Sequence, residues 1–332
     1  MSDGVPLPAS VQVEVTGACN LRCRMCLVRY RPPLGRRSGS LPLETFRVVM
    51  DALPALHTLT LQGLGEPLLA PDLLDMIRVA KARGIAVGFN TNGTLLSPVL
   101  AHALVGLGVD WVHVSLDGAE AATHEAIRDG ADFVAIVQNL RELARLVADL
   151  GVQRPEIAVV FVAMRRNVAE LPALVQLVAR CGVRRVRVQN LSHSFGDTDP
   201  TGAYAAIRDF TSREALWADV GDGARVFAEA SDAAAAAGVE LRVPRLAERA
   251  SARPPGVPGC EWPWESAYVR HDGKVQPCCM LMGEDRAILG DLHEASFAEI
   301  WNGPRYAAFR EALLGASPPE PCRGCSLYRG VF

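Results

Sequence analysis

Cys19-Asn20-Leu21-Arg22-Cys23-Arg24-Met25-Cys26 follows directly on the apolar alternation Val11, Val13, Val15. An alternation of period two reads as a strand, so the three cysteines, spaced C-x3-C-x2-C, lie on the loop leaving its C-terminal end. Three thiolates on one short loop can converge on a single metal centre. A [4Fe–4S] cluster usually takes four cysteines. Three would leave one iron without a protein ligand, open to chelation by a small molecule. Two other readings compete, a zinc knuckle and a chance group of buried thiols. Zinc wants a fourth ligand nearby, and the next histidine, His57, lies far along the chain.

The rest of the composition narrows the setting. At 332 residues the chain is long enough for one large domain and a smaller one. Its net charge of −3 offers no basic field, so no nucleic-acid partner is expected. Residues 1–10 carry neither a charged n-region nor an apolar h-region, and no apolar run reaches membrane-spanning length, so no membrane is expected either. Nine cysteines without a secretory signal point to a reducing cytoplasm, where clustered thiols more often hold metals than pair as disulfides.

Residues 29–40, rich in Arg, Pro and Gly, read as an exposed connection. Beyond them, helical spacing at 43–53, 72–83, 98–107, 133–150 and 167–181 alternates with strand signals at 58–61, 85–89, 111–115, 157–162 and 183–188. Strands alternating with helices in this way predict parallel βα units. Six units fit a partial or full (β/α) barrel with function on the loops at the C-terminal strand ends, and a doubly wound sheet would give a similar pattern. Periodicity does not choose between them. Residues 191–201 read as a long loop closing over the site, 213–238 as one helix, and the proline-rich stretch 249–259 as a semi-rigid linker. The expected division is a core of residues 1–210, a helical segment and linker of 211–259, and a small domain of 260–332.

Polar segments recur after the strands. Gly63-Leu64-Gly65-Glu66-Pro67 follows the second; its glycines would let backbone approach a ligand and Glu66 is placed to receive a cation, although alone it would pass as a Gly-Pro turn. Asn90-Thr91-Asn92-Gly93 and Ser115-Leu116-Asp117-Gly118 follow the third and fourth, each a polar turn closed by glycine. Together with the cysteine loop, these segments resemble the radical SAM superfamily. The resemblance implies a partial (β/α)6 barrel in which Cys19, Cys23 and Cys26 hold a [4Fe–4S] cluster whose open iron binds S-adenosylmethionine. It implies reductive cleavage of that cosubstrate to a 5'-deoxyadenosyl radical, which abstracts hydrogen from a substrate. By the same resemblance the loop of Gly63, Gly65 and Glu66 holds the cosubstrate's amino group, with Leu64 where the family has a second glycine. Asn92, Ser115 and Asp117 are assigned to its ribose or carboxylate. Arg128 matches an arginine that reaches the methionyl carboxylate, and Gln189-Asn190 fall beside the adenine.

A second cysteine set occupies the last quarter: Cys260, Cys278, Cys279, Cys322 and Cys325. Residues 267–270 and 274–276 flank His271-Asp272-Gly273, a strong hairpin signal that brings Cys260 towards Cys278. Four thiolates from a hairpin and a terminal Cys322-x2-Cys325 knuckle would complete a cluster or hold zinc. The Cys260-x17-Cys278 spacing, the run Gly273-Lys274-Val275-Gln276-Pro277-Cys278-Cys279 and the closing C-x2-C resemble a SPASM or twitch extension. On this cysteine count it implies one auxiliary [4Fe–4S] cluster, held by Cys260, Cys278, Cys322 and Cys325. Cys279 is left over as a free thiol, a packing residue or a hydrogen donor, and Cys181 reads as buried packing.

The favoured reaction is oxidation of a carbohydrate or aminocyclitol hydroxyl in natural-product (antibiotic) biosynthesis, with the auxiliary cluster accepting an electron. A small-molecule substrate and an external electron donor such as flavodoxin or ferredoxin belong to that expectation. An epimerase, in which Cys279 returns hydrogen to the opposite face, is the first alternative. A peptide-modifying maturase is another, disfavoured because only 18 residues precede Cys19. A non-enzymatic Fe–S carrier or zinc scaffold would leave the strand-end polar segments without a role. Arg29, Arg31, Arg36, Arg37, His193 and Asp197 are candidate substrate contacts.

Overall fold

In the computed structural model, which describes residues 4–30, 39–195, 204–216, 220–246, 257–281, 287–315 and 317–332, strand β1 (Ser10–Val13) is paired along both edges. On one side follow β2 (Thr58–Leu61), β3 (Ala86–Thr91), β4 (Trp111–Ser115), β5 (Glu156–Val162), β6 (Arg185–Gln189) and β7 (Glu240–Arg242), each parallel to its predecessor. Helices α1 (Leu43–Asp51), α2 (Leu73–Ala82), α3 (Pro98–Gly106), α4 (Ala121–Ile127), α5 (Phe133–Asp149), α6 (Leu171–Arg180), α7 (Ala205–Glu214) and α8 (Val220–Ala237) fall between successive strands. The sheet does not close on itself, so this is the open, partial barrel expected.

Period-two alternation divides each strand between two surfaces. Val11, Leu59, Val87, Val112, Val159 and Val186 pack in one apolar layer with the inner stripes of the helices, such as Met76 and Ile77 of α2 or Leu174 and Val178 of α6. Each such side chain contributes about 1.5–3 kcal/mol by leaving water. The alternate residues Asn90, Ser115, Val160, Val162 and Gln189 instead line a cleft on the concave side. Helix ends follow local chemistry. Ser97 accepts from Leu100 N at 3.3 Å ahead of Pro98, and Asp132 accepts from Ala135 N at 2.9 Å. Gly84, at φ 72°, takes the left-handed turn that ends α2, a conformation costly for any residue with a Cβ.

Two features differ from the sequence reading. The segment read as one helix over 213–238 is two, α7 and α8, and behind them β7 adds a seventh parallel strand inside the stretch read as helix and linker. β7 is only three residues long, Glu-Leu-Arg, and its charges pair laterally, Arg185 Nε with Glu240 Oε2 at 3.0 Å. Such a strand carries no hydrophobic alternation to read.

The expected hairpin forms as β8 (Ser266–Val269) and β9 (Lys274–Gln276), and β10 (Gly290–Asp291) adds an antiparallel edge. Beyond expectation, β8 pairs in parallel with β1, Ser10 opposite Ser266 and Val13 opposite Val269. It covers what would otherwise be the barrel's bare edge, so one sheet runs through both parts of the chain. The C-terminal elements, α9 (Trp262–Glu265), α10 (Phe297–Trp301), α11 (Pro304–Leu314), α12 (Glu320–Arg323) and α13 (Ser326–Arg329), bury Trp301 and Tyr306 around a cation. Arg310 lies 4.3 Å from the Trp301 ring and 4.7 Å from that of Tyr306, and it donates to Pro263 O and Trp301 O at 2.8 Å each. Replacing Arg310 by Ala removes both donors and the ring contact, at a cost of about 3 kcal/mol. Arg310→Lys, a point charge without the planar fork, should recover only part of this. Chemical denaturation of the anaerobic protein measures both.

Candidate functional site

The three cysteines of the first loop share the cleft of about 250 Å³ at the C-terminal ends of β1–β6. A circuit of hydrogen bonds fixes the loop there. Glu66 N donates to Ala18 O at 2.8 Å, and Asn92 N donates to Glu66 Oε2 at 2.7 Å. Asn92 Nδ2 then donates back to Asn20 Oδ1 at 2.9 Å. The loop's other side is pinned by Arg22 N to Asp129 O at 3.0 Å and Arg24 N to Ile127 O at 2.9 Å. The loop is thus stitched to segments following β2, β3 and β4.

The glycines of residues 63–66 serve close approach, but to protein. A Cβ on Gly65 would stand 2.3 Å from Thr16 O, and one on Gly63 would stand 2.2 Å from Glu14 Cγ. Glu66 is buried and burial raises its pKa, against the pull of its donors Asn92 N, Thr91 Oγ1 and Leu68 N. It faces the cleft already holding these three hydrogen bonds.

Arg128 and Asp117 form a buried pair, Nε to Oδ2 at 2.7 Å. Burial works against the Arg128 charge, but Asp117 and the Cys23 thiol outweigh it and raise the pKa. Nη1 of Arg128 lies 3.9 Å from Cys23 Sγ and the side chain lines the cleft. Asp117 does not line it. Fully buried, it accepts from Val162 N at 2.8 Å through Oδ1 and stands behind the arginine. His124 accepts from Asp117 N through Nδ1, and burial, then Arg128, lowers its pKa to about 3, so the ring stays neutral.

Of the remaining expected residues, Ser115 and Gln189 line the cleft. Asn190 does not. Its Nδ2 donates to Arg245 O at 3.1 Å and Val331 O at 2.5 Å instead. His193 is buried, bonded to Pro321 O at 2.8 Å, and belongs to the packing between the 191–195 segment and α12 rather than to the cleft. Arg29 pairs with Asp129 at 3.0 Å. Arg31, Arg36, Arg37 and Asp197 lie outside the described residues. Met25 and Met280 line the cleft and were not anticipated; a methionine beside a cysteine carries no sequence signal of its own.

Cysteines of the second set lie near one another, Cys279 among them. Cys278 is raised well above the usual thiol range, first by burial and then by Cys279, Cys325 and Cys322. Cys279 is pushed up to about 12 by burial and by Cys325, with Cys260 also near. Met280, next in the chain, reaches the cleft, whereas Cys279 does not. No cysteine forms a disulfide. Among the described residues, no three His, Cys, Asp or Glu side chains close tightly enough to hold one metal ion. An all-cysteine donor set suits an iron–sulfur cluster, which takes thiolate ligation.

The family model described as the radical SAM superfamily matches residues 13–188, and that of an iron–sulfur cluster-binding domain, SPASM, matches 260–326. A tungsten-containing aldehyde ferredoxin oxidoreductase cofactor-modifying protein of Pyrococcus furiosus is 27% identical over 332 residues, 95% of this chain and 86% of its own length. A PqqA peptide cyclase of Methylorubrum extorquens is 28% identical over 331 residues, 97% of this chain and 79% of its own. The crystal structure of Streptococcus suis SuiB bound to precursor peptide SuiA matches in fold with a TM-score of 0.72 at 15% identity, covering 97% of this chain and 70% of that one.

The buried pair gives a test of the site's architecture. Arg128→Leu leaves Asp117 as an unbalanced buried charge and should cost about 3–5 kcal/mol. Asp117→Asn in the same chain removes that charge, so the double variant should be less destabilised than the sum of the single changes. Chemical denaturation of all three variants under nitrogen measures the difference.

Proposed function

This chain belongs to the radical SAM superfamily, and we propose that it is a peptide-modifying member acting on an uncharged, largely apolar residue of its substrate. The lining of the cleft carries this reading. Among the described residues there, Glu66 and Arg128 are the charged side chains, and both already hold partners of the protein. The apolar part of the lining is Met25, Leu27, Val160, Val162, Phe195 and Met280, with Gln62 and Gln189 as uncharged polar neighbours in the same lining. An aminocyclitol brings ammonium groups, which need a carboxylate when buried. An aliphatic or aromatic side chain does not. Relatives named for peptide cyclisation and a fold neighbour bound to a precursor peptide support the same choice over the carbohydrate oxidation favoured from sequence alone.

Cys19, Cys23 and Cys26 would hold the [4Fe–4S] cluster; with S-adenosylmethionine bound it supplies a 5'-deoxyadenosyl radical once an external donor such as flavodoxin or ferredoxin delivers an electron. Glu66 uses three of its roughly four lone-pair sites on Asn92, Thr91 and Leu68, which leaves one on Oε2 for the cosubstrate's ammonium. Gly63 and Gly65 keep that carboxylate seated. Asn92 and Ser115 offer an amide and a hydroxyl to the ribose or carboxylate. Arg128 supplies positive charge beside Cys23, and Asp117 orients it from behind. In the C-terminal domain Cys260, Cys278, Cys322 and Cys325 would hold the auxiliary [4Fe–4S] cluster, and Cys279 packs beside it.

Anaerobic protein, S-adenosylmethionine, a reductant and a panel of short peptides varying one central residue test the reading by mass spectrometry. Val, Leu or Tyr at that position should give 5'-deoxyadenosine and a peptide two hydrogens lighter. Asp or Lys should not. Turnover of an aminocyclitol with no peptide modified would overturn the proposal.

A further inference from the structure

Glu14, one residue beyond β1, is a fully buried carboxylate that no step above uses. Its backbone N–H extends the β1–β8 ladder, donating to Val269 O at 2.8 Å. Its side chain joins three parts of the chain. Oε2 accepts from Leu64 N at 3.1 Å, in the loop read as holding the cosubstrate, and from the Tyr268 hydroxyl at 2.5 Å. Oε1 is bonded to His271 Nδ1 at 2.6 Å. Tyr268 lies on β8 and His271 in the turn that follows it, so both donors come from the C-terminal hairpin. β9 of that hairpin leads directly to Cys278.

The carboxylate's position also explains Gly63. Any side chain there would strike Glu14, whose Cγ, Cβ and Oε2 lie 2.2, 2.5 and 2.5 Å from where its Cβ would stand. The loop is therefore moulded over Glu14, and Glu14 is held by the hairpin.

We propose that Glu14 is a positioning residue through which docking of the auxiliary hairpin sets the conformation of residues 63–66 and with it the affinity for S-adenosylmethionine. A carboxylate gripped by Tyr268 and His271 presents Oε2 to Leu64 N in one orientation. Weakening that grip loosens the carboxylate's orientation and with it the anchor ahead of Glu66. Hydrogen bonds to charged groups are the stronger ones, and their loss from a buried site is felt in full. This rests on reading residues 63–66 as the cosubstrate loop and is independent of the peptide proposal.

The test uses the anaerobic two-cluster protein without reductant, so that S-adenosylmethionine binds and is not consumed. Tyr268→Phe and His271→Leu each remove one donor, whereas His271→Asn keeps an N–H near the Nδ1 position. Amide exchange at Leu64, measured with no cosubstrate present, should rise in the first two variants and stay near the parent in the third. The dissociation constant for S-adenosylmethionine should rise about tenfold in the same two, with iron content unchanged. Arg310→Lys, which loosens the C-terminal domain away from Glu14, should leave exchange at Leu64 unaltered and so separates the link from general loss of packing. Unchanged exchange in Tyr268→Phe and His271→Leu overturns the link itself. Raised exchange with unchanged affinity overturns its bearing on S-adenosylmethionine and, with it, the reading of this loop.

Discussion

Two backbones are pressed together beside the cleft, residues 63–66 against residues 14–18. Gly65 has no room for a Cβ between Thr16 O and Ala18 O, and Glu66 N donates to Ala18 O at 2.8 Å. Ala18 immediately precedes Cys19, so the cysteine loop inherits its position from this contact. The circuit continues through Asn92 to Asn20 and closes on the loop itself. No member of it is a long flexible side chain free to trade partners. A site built this way is preorganised before any ligand arrives, the condition under which electrostatic groups act without reorganising.

The core was legible because parallel βα units repeat a loud signal. β5 shows it, with Ala158, Val159, Val160 and Phe161 all buried in sequence, and so does α6, where Leu171, Leu174, Val175 and Val178 return to one face. What escaped were elements whose stability comes from elsewhere. β7 consists of one apolar residue between two charged ones and exists because β6 offers it a ladder. The parallel pairing of β8 with β1 joins residues some 256 positions apart, Ser10 with Ser266, and no local pattern encodes a partner at that separation.

The site divides along the same line. Cys19, Cys23 and Cys26 announce themselves by spacing alone. Glu66 was found because it sits in a glycine-rich loop, but its engagement with Thr91 and Asn92 was not visible. Asp117 and Arg128, eleven residues apart, read in sequence as two ligand contacts, whereas the fold turns them into one pair with only the arginine facing the cleft. Glu14 reads in sequence as an ordinary polar residue after a strand. Its donors Tyr268 and His271 lie 254 and 257 residues away, so its burial as a charge becomes apparent only once the hairpin is seated on β1.

The C-terminal domain also completes the cleft on its far side. Ser192 and Phe195 line the cleft, and the segment carrying them is gripped by the Cys322-x2-Cys325 knuckle. Ser326 donates to Ser192 O from its backbone and its hydroxyl, at 3.1 and 3.0 Å, and Ser194 N donates to Gly324 O at 2.9 Å. His193 locks the middle. Its Nδ1 accepts from Phe195 N at 2.8 Å, which makes Nε2 the protonated nitrogen, and Nε2 donates to Pro321 O. The wall of the cleft that carries Ser192 and Phe195 is thus held by the segment that contains Cys322 and Cys325. Residues of both matched regions therefore line or support the one cleft.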